Sequence, residues 1–137
     1  MIHKESKILT PHREYVAVTD FSQDSKDRQI WSMVDDMLIQ DHLICIQEYG
    51  LEEIFQVRVT KTKKVLATRG QVFYTTMGPK TADKLMADDA VFTLDENGPR
   101  YEQINSLAKL QRKHKVYKVY ANGIRPYFVN GVLTNDG

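Results

Sequence analysis

The sequence predicts a single α+β domain built mainly on an antiparallel sheet. Short segments rich in β-branched and aromatic residues recur in pairs separated by turn residues, the pattern of hairpins. Apolar residues near the N-terminus recur at 3.6-residue spacing, the mark of one long amphipathic helix. Strands and helices do not alternate regularly, which argues against a parallel sheet. At 137 residues the chain has room for one core.

Taken in order, residues 1–13 are read as a flexible arm ending at Thr10-Pro11-His12-Arg13, and residues 14–137 as the domain. Tyr15–Thr19 reads as a strand. Phe21-Ser22-Gln23-Asp24 is a turn in which Ser22 or Asp24 can cap a helix. Ile30, Trp31, Met33, Val34, Met37 and Leu38 place that helix at about residues 25–41. Leu43–Ile46 suits a strand covered on both faces. Phe55, Val57 and Val59 alternate with Gln56, Arg58 and Thr60 in a second strand. Residues 60–64 form a polar turn, Val65–Ala67 the return strand, and Gln71–Thr76 a further one.

Two helices are expected in the middle. One runs from Thr81 to about Ala90 with Leu85 and Met86 inward. After the loop Asp95-Glu96-Asn97-Gly98, Pro99 opens the second, because a first-turn N–H has no partner to lose. Tyr101, Ile104, Leu107 and Ala108 give it an inner face as far as about Lys113.

The chain ends in a predicted β-meander. Asn122-Gly123 and Asn130-Gly131 are strong hairpin turns, since both central positions of a type I′ turn need positive φ. The first would pair Tyr117 with Phe128 and Lys118 with Tyr127; the second would set Leu133 opposite Phe128. Lys118, Tyr120, Arg125 and Tyr127 then share an outer face. Pro126, without an N–H, should break the ladder.

Net charge is only +1, but the charge is unevenly spread. Residues 54–81 hold six cations and no acid, residues 102–128 six cations and one acid, and residues 14–53 two cations against ten acids. If Arg58, Lys61, Lys63 and Lys64 meet Arg112, Lys113, Lys115, Lys118 and Arg125 beside Tyr120 and Tyr127, the result is a surface for single-stranded nucleic acid or RNA. The expected function is therefore a small binding protein without enzymatic activity. A protein-interaction module, inhibitor or adaptor, using the same face or the acidic first helix, is the alternative. A small phosphodiester hydrolase or nucleotide-binding protein is third. An ordinary solvated sheet surface would carry the same residue types.

Other chemistry finds little support. Gly78-Pro79-Lys80-Thr81 is similar to the end of a phosphate-binding loop but lacks the glycine and backbone run that would wrap a triphosphate. Lys80 and Thr81 remain a candidate for holding one phosphate at a helix start. His3, His12, His42 and His114 have no metal-ligand spacing, and no cofactor or metal is expected. Cys45, the single cysteine, cannot form an internal disulfide, and no apolar run reaches the length of a membrane span. A soluble, cytoplasmic protein is expected, with self-association left open.

Overall fold

A computed structural model describes residues 1–11, 14–21, 29–121 and 126–136. The described residues are almost entirely antiparallel β-structure. In chain order the strands are β1 (Ile2–His3), β2 (Lys7–Leu9), β3 (Tyr15–Ala17), β4 (Gln29–Val34), β5 (Met37–Glu52), β6 (Phe55–Arg58), β7 (Lys64–Ala67) and β8 (Val72–Thr75). They continue with β9 (Gly78–Thr81), β10 (Ala90–Asp95), β11 (Gly98–Gln103), β12 (Ser106–Lys109), β13 (His114–Ala121), β14 (Tyr127–Val129) and β15 (Val132–Asn135). Two single 3-10 turns, Val18–Asp20 and Ala82–Lys84, are the only helical elements among the described residues. None is long and apolar enough to cross a membrane.

The strands form two sheets. One has the order β12-β6-β7-β1-β13-β5-β4, the other β11-β10-β8-β15-β14-β2-β3 with β9 added on β8. Their inner faces meet over one core, which includes Ile2, Ile8, Val57, Val65, Phe73, Val91, Val129 and Val132. The segment read as an arm supplies β1 and β2. Ile2 is fully buried between β7 and β13.

The α+β expectation is overturned, and each helix fails for a local reason. The apolar stripe from Ile30 to Leu38 belongs to a hairpin. Asp35 and Asp36 have φ of 50° and 63°, so they form a tight two-residue turn, and Val34 faces Met37 while Met33 faces Leu38. Apolar residues mirrored about such a turn reproduce the offsets of a helical stripe. Alternation nevertheless survives within β4: Ile30 and Ser32 are fully buried, whereas Trp31 and Met33 face the other way.

The first of the middle helices shrinks to one 3-10 turn before β10. The second is the hairpin strand β11 followed by β12. Gly98, with φ of 97°, closes the β10–β11 turn, and Leu94 pairs with Pro99. Pro99 is tolerated because β11 is an edge strand, where one N–H would be left without a partner anyway.

In the C-terminal region Asn130-Gly131 behaves as expected, with φ of 49° and 84° and Phe128 opposite Leu133. The other predicted pairing fails. β13 lies between β1 and β5 in one sheet, while β14 pairs with β15 and β2 in the other. Asn122-Gly123 lies outside the described residues. β5 is long because it serves two partners in turn, β4 through His42 and β13 from Leu43 onward.

Candidate functional site

The predicted basic face does not assemble as a free surface. Lys63 is buried, and its ammonium bonds Asp95 and Glu102. Burial opposes its charge, but the two carboxylates outweigh that and hold the group above its ordinary range. Tyr127 is 2% exposed and points inward. Lys115 pairs with Glu48 at 3.0 Å, and Lys118 lies 5.2 Å from the Tyr120 ring. The Tyr120 hydroxyl lies 3.3 Å from that of Tyr49.

Arg58 and Lys64 are half-buried on paired strands β6 and β7. Lys61, Arg112 and Lys113 are exposed. Arg125 lies outside the described residues. Lys80 is bound to Asp89 at 2.8 Å and Thr81 donates to Asp83, so neither is arranged around an empty phosphate position. No cluster of metal-ligating side chains occurs among the described residues.

What the fold does bring together are residues from the two ends of the sequence. β1 carries Met1 into the gap between β7 and β13, while β15 carries Asp136 in from the other sheet. The Met1 amino group donates to Thr68 Oγ1 at 2.9 Å and to Gln71 Oε1 at 2.7 Å, and lies 3.8 Å from Asp136 Oδ1. Burial lowers the pKa of this amine, partly offset by Asp136.

Gln71 is the hub. It is fully buried, and its Nε2 donates to Tyr127 Oη at 3.1 Å and to Thr134 Oγ1 at 2.9 Å. The Thr134 hydroxyl in turn donates a hydrogen bond to the Val72 carbonyl at 2.6 Å. The Tyr127 hydroxyl donates to Asp136, whose other oxygen accepts the Val119 N–H at 2.7 Å. Burial, then Asp136, raises the Tyr127 pKa well above the ordinary phenol value, so the phenol stays protonated. A cleft of about 340 Å³ opens onto the cluster, with Arg69, Glu52 and Lys118 on its walls.

The sequence reading missed this cluster because its members are scattered from residue 1 to residue 136. One signal was available. Gln71 continues the inward parity of Phe73 and Thr75, and a polar residue in a buried register must find partners.

No family model and no curated protein sequence matches the chain. Solved structures do match its fold. A DnaB intein from Synechocystis sp. PCC 6803 superposes with a TM-score of 0.88 at 18% identity, covering 99% of this chain and 97% of that one. The TvoVMA intein matches with a TM-score of 0.82 at 13% identity over 99% and 97% of the two chains. A bacterial intein-like domain from Clostridium thermocellum matches with a TM-score of 0.78 at 18% identity over 98% and 96%. This chain is therefore similar in fold, over nearly its whole length, to inteins. That overturns the expected nucleic-acid-binding and adaptor functions, because these structural neighbours are protein-splicing domains.

Proposed function

We propose that this chain is an intein-type domain that acts on peptide bonds at its own ends. The reading is carried by the meeting of Met1 and Asp136 in one half-buried polar cluster. Around them Thr68, Gln71, Tyr127 and Thr134 form a connected set of donors and acceptors, the preorganised setting that peptide-bond chemistry requires.

The residue types limit which reaction is available. Moving an acyl group onto the side chain of residue 1 needs a thiol or hydroxyl there, and the thioether of Met1 offers neither. The side chain of Met1 therefore does not take up an acyl group. At the other end Asp136 precedes Gly137. Attack of the Asp136 carboxylate on its own backbone carbonyl closes a five-membered ring. The new C–O bond forms, the C–N bond to Gly137 breaks, and the departing nitrogen takes a proton from water. Water then reopens the cyclic anhydride to aspartate. Val119 N–H and Tyr127 O–H fix the carboxylate for this step. The single cysteine suits a reducing, cytoplasmic setting.

The test places one reporter domain before Met1 and another after Gly137, followed by gel analysis and mass spectrometry. The expected result is release of the downstream reporter with Gly137 at its N-terminus and an intact fusion for Asp136→Ala. A fusion that stays uncut while the domain is folded would overturn the reading.

A further inference from the structure

A second concave feature lies apart from the cluster at the chain ends. It is a groove of about 460 Å³ between the β4–β5 hairpin and the β10–β11 hairpin, lined by Leu9, Tyr15, Trp31, Leu38, Leu94 and Glu96. Its floor continues a small apolar cluster formed by Leu9, Phe128 and Leu133, with Trp31, Met33 and Leu94 packed against it. Tyr15 and Leu38 are each 39% exposed, more than a closed core would allow.

Among the described residues the charged side chains that line the groove, Asp95 and Glu96, are both acids. Lys63, Arg100, Asp95 and Glu102 neutralise one another through ion pairs. Glu96 remains on the rim, exposed and without an ion pair among the described residues. Asp35 and Asp36, also exposed, form the turn just before Leu38. An apolar groove with the Glu96 carboxylate free of an ion pair at its edge complements a cationic amphipathic segment, with aliphatic side chains seated inside and lysine or arginine on the rim.

We infer that this groove docks a basic, aliphatic peptide segment of a partner protein. The anchors would fill the space over Trp31 and Leu38, where burial of apolar area supplies the affinity. Glu96 would select the positive charge and speed encounter.

Trp31 is the single tryptophan of the chain, so its fluorescence reports directly on the groove. The probe is a short synthetic peptide of alternating leucine and lysine, titrated into the full chain. Two control peptides replace lysine with glutamate or leucine with serine. The expected result is a saturable blue shift with the leucine–lysine peptide, at least about tenfold weaker binding for both controls, and a similar loss for Glu96→Lys. Glu96 is exposed at a hairpin turn, so this variant leaves the core intact. Leu38→Asp, checked by circular dichroism, should also abolish the shift. No saturable shift, equal binding of the leucine–glutamate peptide, or a shift that follows protein concentration without peptide would each overturn the inference. The last result would assign the groove to a second copy of the chain.

Discussion

Replacing Gln71 with leucine keeps most of the side-chain volume and removes both polar atoms. Three hydrogen bonds disappear, from Met1 N, to Tyr127 Oη and to Thr134 Oγ1. No partner is fully stranded. Met1 keeps Thr68, Tyr127 keeps Asp136, and Thr134 keeps the Val72 carbonyl. At about 1 kcal/mol for each bond, the substitution should cost about 3 kcal/mol. With a urea m-value near 2 kcal/mol/M, the midpoint should fall by about 1.5 M at unchanged m. Tyr127→Phe should cost about 2–3 kcal/mol, because it removes the phenol from both Gln71 and Asp136. The two variants share one bond, so the double variant should be less destabilised than the sum by about 1 kcal/mol. Urea unfolding followed by circular dichroism measures all three. A loss under about 1 kcal/mol for Gln71→Leu, or strict additivity, would refute the hub.

Three further outcomes follow from the structure. Asp95 is held down at about 2 by hydrogen bonds from Lys63 first, then the Asn97 N–H and Arg100. A depressed carboxylate contributes stability above its unfolded value of 3.8, and the contribution fades as pH falls toward about 2; Lys63→Met should flatten the stability curve across that window in acid unfolding. His3 has its pKa lowered by burial and then by His114, whose ring is 4.9 Å away. Unfolded His3 therefore binds its proton first, and folding stability should decline as pH drops through 6.5, a slope that His3→Gln removes. Finally, replacing Asp35-Asp36 with Asn-Gly relieves two positive-φ positions and should raise stability by about 0.5–1 kcal/mol in thermal melts.

Strand pairs joined by their own turns were legible in the sequence. The Asn130-Gly131 hairpin and the β6–β7 hairpin depend on local turn chemistry and period-2 alternation, which the residues display directly. The apolar residues of β4 and early β5 were visible too, but a mirrored hairpin and a helix share their spacing. Asp-Asp is also a weaker turn signal than Asn-Gly. The partners of β13 could not be read locally. It pairs with β1 and β5, not with the strand that follows it, and such long-range choices arise from how the two sheets close. The basic residues were real, yet charge counts along a chain ignore the acids that meet them in space. Lys63 shows this, since Asp95 and Glu102 lie far along the chain in the hairpin that covers it. The cluster at Met1 was hidden for the same reason, although the inward parity of Gln71 was a mark of it.

The closeness of residues 1 and 136 has a mechanical consequence. A unit whose entry and exit strands are neighbours can sit in a surface loop of another protein without forcing that loop's stems apart. The host would then bear mainly the modest entropy of a longer excursion, which grows only logarithmically with length. Insertion at one point would leave the geometry of the surrounding stems as it was.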